Sequence, residues 1–203
     1  PSTVQMALRS SSRLAVLALV GLYGTFATAG YGVANRLLLM ALIPCFGLGN
    51  AAGTLVGQNL GAGQPERSER SAWWVSAYAA GYMVVAAGVL TVLAPSLIAL
   101  FDPTPQVVAL GTQYLQVVAW SEVASAVGVG LAQSFAGAGN TVPAMGINLF
   151  SLWGLEVAAA LGLSRWLGLG ITGVWWGRTL ANLINGFLFA LWFRRGAWKQ
   201  KDV

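Results

Sequence analysis

Residues Ser71–Phe101 read SAWWVSAYAA GYMVVAAGVL TVLAPSLIAL F, 31 positions without one Asp, Glu, Lys or Arg. A membrane-spanning helix needs about 20 mostly apolar residues. This run supplies them with a margin and lacks the period-two alternation of a barrel strand. Other charge-free runs lie on both sides of it: Leu14–Asn35 (22 residues), Leu37–Pro65 (29), Pro103–Ser121 (19) and Val123–Leu155 (33). Backbone groups at membrane depth must be paired internally, so helices are the form these runs take.

The bulk composition agrees. Of 203 residues, 57% are hydrophobic and only 8% charged, against about 25% charged in soluble domains. Mean hydropathy is +0.69. So little charge cannot cover a large soluble surface, and so much apolar content excludes disorder. The 26 Gly show no period of three and come with only 7 Pro. Small residues inside apolar runs suit close helix packing in membranes. The lone Cys45 excludes an internal disulfide and reads as a small buried hydrophobe. One Cys and no His remove the usual zinc and copper ligand sets, so no metal centre and no bound cofactor are expected.

Turn signals divide the chain into six expected helices, at about 3–26, 28–56, 69–98, 105–135, 142–163 and 171–193, with a basic tail over 194–203. The fold class is therefore all-α, a polytopic membrane protein. Gly24–Gly32 is the weakest boundary; Gly57–Gly63, Asp102–Pro103, Gly137–Pro143 and Gly162–Gly170 are stronger. Pro143 falls in a first helical turn, where its missing N–H is harmless. Pro44 falls inside the second helix and should bend it.

Six crossings return the C terminus to the side of the N terminus. That side then carries Arg9, Arg13, Arg67, Arg70, Arg194, Arg195, Lys199 and Lys201, and the opposite side Arg165 alone. Basic residues gather on the cytoplasmic side, so both termini are expected there. The same placement accounts for the net charge of +5 through a lipid bilayer partner, without nucleic acid. Trp73, Trp74, Trp192 and Trp198 near cytoplasmic ends, with Trp166, Trp175 and Trp176 near outer ends, read as interfacial anchors.

Arg36, Glu122, Glu156 and Arg178 fall inside the spans, where charge is costly unless paired, hydrated or functional. At 1.5 Å per residue, Arg36, Glu156 and Arg178 all lie roughly 10–12 Å from the outer ends of their helices. Glu122 lies about 25 Å from its own. Glu156 is thus expected to pair with Arg36 or Arg178, and Glu122 to have no basic residue at its depth. A buried carboxylate can carry a proton or recognise a cation, so Glu122 and Glu156 are candidates for ion coupling or substrate recognition. Gln116 and Asn148 are polar companions. Gln113, Gln116 and Trp120 share a helix face by spacing. Asn148, Asn182 and Asn185 either stitch helices together or line a wet cavity.

One segment is more particular than a linker: Pro44-Cys45-Phe46-Gly47-Leu48-Gly49-Asn50-Ala51-Ala52-Gly53-Thr54-Leu55-Val56-Gly57-Gln58-Asn59-Leu60-Gly61-Ala62-Gly63. Small residues at 47, 49, 51, 52, 53 and 57 form a stripe for close packing. Gln58 and Asn59 can cap helix-end carbonyls, and Gly61 and Gly63 permit a tight turn. No nucleophile–base pair and no phosphate-loop ending are present, so no enzymatic activity is expected.

This segment closely resembles the multidrug and toxic compound extrusion (MATE) transporters, which carry a Pro, a small-residue stripe and a Gly-Gln-x-x-Gly-Ala-Gly turn in each half. Here the turn is Gly57-Gln58-Asn59-Leu60-Gly61-Ala62-Gly63. Gly30–Arg36, Phe101-Asp102, Ala136–Thr141 and Gly168–Trp175 fit the same pattern in order. The resemblance implies a twelve-helix transporter of two six-helix lobes, of which this chain is similar to the second. It further implies a secondary antiporter of a bacterial inner membrane, exporting cationic or amphipathic compounds in exchange for Na⁺ or H⁺ through a cleft between lobes. An N-terminal six-helix lobe would then be the partner of this chain. An acid in the second lobe's first or fourth helix often assists in the family. Glu122 supplies it from the fourth, and the stretch from Thr3 to Gly30 has none. Two alternatives remain: a flippase for lipid-linked sugars, favoured by a basic cleft, and a structural lobe without transport.

Overall fold

A computed structural model describes the backbone of residues 2–200 and the side chains of residues 11, 12 and 14–198. Arg9, Arg13, Lys199 and Lys201, half of the basic residues counted toward one side, lie outside the described side chains. Helix α1 spans Ser2–Gly21, α2 Thr25–Gly61, α3 Pro65–Val92, α4 Ala94–Ala99, α5 Pro105–Val118, α6 Glu122–Gly137, α7 Thr141–Leu149, α8 Ala158–Leu161 and α9 Ile171–Arg194. A 3-10 turn, Ala119–Ser121, carries α5 into α6. Two π-helical stretches, Phe150–Val157 and Gly162–Trp166, flank α8. The described residues thus form rods over 2–21, 25–61, 65–99, 105–137, 141–166 and 171–194. Among the described residues, four helices are long and apolar enough to cross a membrane: Thr25–Gly61, Pro65–Val92, Pro105–Gly137 and Thr141–Trp166.

Two boundaries differ from the sequence reading. α1 stops at Gly21 and α2 begins at Thr25, so the first turn comes before Phe26, not after it. Gly24 supplies it with φ +100. α2 also runs past Val56 to Gly61 and continues through Pro44. Gly57, Gln58 and Gly61 are therefore helical, and the turn is residues 62–64. Gly63, with φ +68, is the residue that reverses the chain. Gln64 N–H donates to the Asn59 carbonyl at 2.8 Å and Gly63 N–H to Leu60 at 2.9 Å, a Schellman closure. Gln58 is exposed, while Asn59 Nδ2 turns back to the Leu55 carbonyl at 2.8 Å. The second Gly-Ala-Gly ends α6 in the same way. There Gly139 has φ +69, and Asn140 N–H reaches the Phe135 carbonyl at 2.9 Å.

α2 lies against α3, α5 and α6, and α9 against α6 and the 141–166 rod. The expected small-residue stripe narrows to Gly49, Gly53 and Gly57, which face α6. A Cβ on Gly53 would meet the Gln133 carbonyl oxygen at 2.7 Å, and one on Gly57 the Gly137 carbonyl at 3.1 Å. Gly47 meets nothing and Ala51 is exposed. A four-residue spacing holds one helical face toward the neighbour; Ala52 is buried beside it, while Gly47 and Ala51 rotate off it.

Two aromatic clusters fill the ends of the bundle. Tyr31, Tyr114 and Trp175 meet at ring centroid distances of 4.7 to 5.9 Å. At the opposite end Phe193 meets Phe135 at 5.4 Å, Trp73 at 5.8 Å and Trp198 at 4.5 Å. Trp175 and Trp198 are fully buried, so they pack the core and are not interfacial anchors. Trp175 faces inward from α9, and Trp198, in a 3-10 turn beyond α9, folds back so that its Nε1 donates to the Phe193 carbonyl at 3.0 Å. Trp74, Trp166, Trp176 and Trp192 are exposed.

Candidate functional site

The charged layer lies between the two aromatic clusters, and local departures from α-helix build it. At the 3-10 turn, Glu122 N–H bonds the Ala119 carbonyl, which releases the Val118 carbonyl. Ser121 Oγ then donates to Val118 at 2.7 Å, and Thr179 Oγ1 of α9 donates to the Val117 carbonyl at 3.2 Å. This tightening carries Glu122 into the interior at the first turn of α6. Glu156 lies in the π-helical stretch 150–157, which turns it inward while Phe150 and Trp153 stay exposed. π-helical insertions of this kind are frequent at functional sites. Arg178 comes from α9 directly after Gly177, whose absent Cβ lets α9 approach the Ala160 backbone nitrogen at 2.6 Å from the Cβ position.

Arg178 bridges both acids. Its Nη2 donates to Glu122 Oε1 at 3.1 Å and its Nη1 to Glu156 Oε1 at 3.4 Å. Glu122 and Glu156 are buried, and the Arg178 side chain is 13% exposed. Asn182 Nδ2 donates to the same Glu122 oxygen at 3.0 Å and to Ser121 Oγ at 3.0 Å. Two carboxylates and one guanidinium leave a formal charge of −1 when both acids are ionised. The Tyr114 hydroxyl, Trp175 Nε1 and Arg178 Nε are buried without a hydrogen-bond partner among the described residues.

Glu122 therefore does have a basic neighbour, contrary to the depth reading. Depth was counted from helix ends assumed to be level. The 105–137 rod is about 50 Å long and α9 about 36 Å, so their ends cannot coincide, and an Arg side chain spans part of the remaining gap. Of the two candidate partners for Glu156, the geometry selects Arg178. Arg36 is exposed on α2 and takes no part in the triad. Gln116 is exposed on α5. Asn148 is buried and accepts from Asn185 Nδ2 at 3.4 Å, linking α7 to α9. Asn182 was read only as a helix stitch or cavity lining, although 178, 182 and 185 follow the spacing of one helix face. Ser121 is a polar companion of Glu122 in the sequence, whereas Thr179 carries no signal of its own. Among the described residues no cluster of His, Cys, Asp and Glu is set to hold a metal ion.

The exposed large side chains of α3 are Trp74, Tyr78, Tyr82, Val84, Val85, Val89 and Val92, a surface suited to lipid. Along α2 the exposed positions are mixed, with apolar Met40, Ile43, Pro44 and Leu55 beside polar Arg36, Asn50, Thr54 and Gln58. Asn50 accepts from Gln133 Nε2 of α6 at 2.6 Å.

A bundle of long apolar helices around a buried ion triad defines an all-α membrane protein. The profile of the MatE family matches residues 1–161, and the chain belongs to that family. It is 27% identical, over its whole length, to the probable multidrug resistance protein YoeA of Bacillus subtilis, covering 44% of that protein. It is 34% identical to the multidrug resistance protein PmpM of Pseudomonas aeruginosa over 82% of this chain and 36% of that one. An inward-facing multidrug resistance MATE transporter of the MOP superfamily shares the fold, with a TM-score of 0.91 at 19% identity. That match covers all of this chain and 48% of the other. The chain spans about half the length of the relatives it matches.

Proposed function

We propose that this chain is the C-terminal six-helix lobe of a secondary antiporter that exports cationic or amphipathic compounds in exchange for H⁺ or Na⁺. In this reading all six rods cross a bacterial inner membrane, both termini are cytoplasmic, and an N-terminal six-helix lobe forms the facing wall of the cleft. The observation that carries the reading is the Glu122–Arg178–Glu156 triad, two buried carboxylates sharing one guanidinium at 3.1 and 3.4 Å. Ionisable groups held this deep are retained where charge must be bound and released. The exposed Asn50, Thr54 and Gln58 of α2 supply a wetted wall along which cargo passes, since polar side chains turned to lipid are costly.

The test is Glu122→Gln in the complete transporter, reconstituted in proteoliposomes. Ion-driven efflux should fall at least about tenfold, the order of a lost charge-assisted interaction, while the amount of folded protein changes little. Efflux with unchanged pH and Na⁺ dependence would remove Glu122 from the mechanism. A second reading, export of anionic cargo such as a lipid-linked sugar, is favoured by one observation. Arg36 is exposed on α2, outside the triad. Arg36→Gln should weaken transport of an anionic cargo and spare or improve that of a cationic one.

A further inference from the structure

We infer that Arg178 is a resident counter-cation that reserves the Glu122–Glu156 site for a proton and bars Na⁺ from it. This rests on the reading of Glu122 as the exchange site. A guanidinium stays charged under any physiological condition, so the site always holds one positive charge of its own. With both acids ionised the triad carries −1, and one proton neutralises it. Na⁺ is a hard cation that needs several oxygen ligands at once, as hard cations do. Here Glu122 Oε1 already faces two donors, Arg178 Nη2 at 3.1 Å and Asn182 Nδ2 at 3.0 Å, and Glu156 Oε1 faces Arg178 Nη1 at 3.4 Å. A Na⁺ on these oxygens would sit at contact distance from a like charge in a buried site. Among the described residues, the other titratable groups near the triad are Tyr31, Tyr114 and Cys45, and none of them brings a second positive charge.

The mode of attachment suits proton exchange. Arg178 gives each acid one terminal nitrogen, not a forked pair, and its Nε has no partner among the described residues. When one carboxyl takes a proton, the guanidinium can turn wholly to the other without leaving the layer. The positive charge therefore remains inside through both halves of an exchange.

Equilibrium ²²Na⁺ binding to the purified 203-residue chain in lipid nanodiscs tests this. The native chain should show no saturable Na⁺ binding, and Arg178→Lys, which keeps the charge, should show none. Arg178→Gln should gain a site at least about tenfold tighter than any in the native chain, the order set by removing a like charge at this range. Glu122→Gln added to that variant should abolish it. Saturable Na⁺ binding by the native chain that Glu122→Gln removes would overturn the inference, and this measurement stands even if Arg178→Gln fails to fold. A folded Arg178→Gln chain that gains no Na⁺ site would overturn it as well. Neither result bears on whether Glu122 couples efflux, which the proteoliposome assay decides separately.

Discussion

At the scale of single residues, Glu122 shows how much rests on a few donors. Its Oε1 accepts from Arg178 and Asn182 in a buried layer, where hydrogen bonds to a charged group contribute about 1.5–3 kcal/mol. Asn182→Ala should therefore destabilise the detergent-solubilised chain by about 1–3 kcal/mol, read as a lowered thermal midpoint. An unchanged midpoint would mean that Asn182 does not support the acid. Asp102 offers a contrast at the surface. The Thr104 side chain and backbone N–H hydrogen-bond its carboxylate, the latter at 2.9 Å, and hold its pKa below the ordinary carboxylate value. A depressed folded value gives a contribution present above the unfolded pKa of about 3.9 and lost as pH falls through the lower folded one. An NMR titration should show the Thr104 amide losing its Asp102-bonded shift only below that ordinary value, and Asp102→Asn should remove the transition. The four intramembrane ionisable residues could be picked from the sequence, because a charge inside an apolar run is conspicuous. Which of them touch could not, because contact depends on relative helix heights that spacing along one chain does not encode.

At the scale of helices, the close approach of α2 to α6 is the most exposed to failure. Gly53 has no room for a side chain against the Gln133 carbonyl. Gly53→Val should cost about 1–3 kcal/mol or more by overpacking. Gly47→Ala, where nothing lies within 4 Å, should stay within about 0.5 kcal/mol of the native chain. Comparable losses from both substitutions, measured by thermal unfolding in one detergent, would discard the assigned face. Helix existence was legible from the apolar runs, and so was the presence of a small-residue stripe in α2. The 3-10 turn at 119–121 and the π-helical stretches at 150–157 and 162–166 were not. Nothing in the local propensity of Ala119-Trp120-Ser121 demands a tighter turn. Thr179 from α9 accepts part of the consequence by bonding the Val117 carbonyl, a partner 62 residues away.

At the scale of the molecule, the extent of exposed apolar surface governs behaviour. The exposed aromatic and aliphatic surface of α3 needs lipid or detergent, so the purified chain should remain monodisperse in micelles and aggregate on their removal, as size-exclusion chromatography would record. A monodisperse detergent-free chain would sink the membrane assignment. Cysteines introduced at Gln64 and Asn140 should both react with an impermeant thiol reagent from the cytoplasmic side, and one at Thr104 only from the opposite side. Labelling of positions 64 and 104 from one side would break the six-crossing topology. The chain alone, spanning about half of its relatives, should transport far less than the complete protein.

Composition and the length of the charge-free runs determined by themselves that this is a helical membrane protein, and the order of the Gly-rich turns carried its resemblance to the MATE transporters. Those properties follow from local solvation and backbone freedom, which each short segment carries within it. Tertiary structure alone decided that Glu122, Glu156 and Arg178 form one site, that Arg36 stands outside it, and that Trp175 and Trp198 lie in the core. Such pairings depend on how rods of unequal length slide and rotate against one another, and that is fixed only when distant glycines bring the helices into contact.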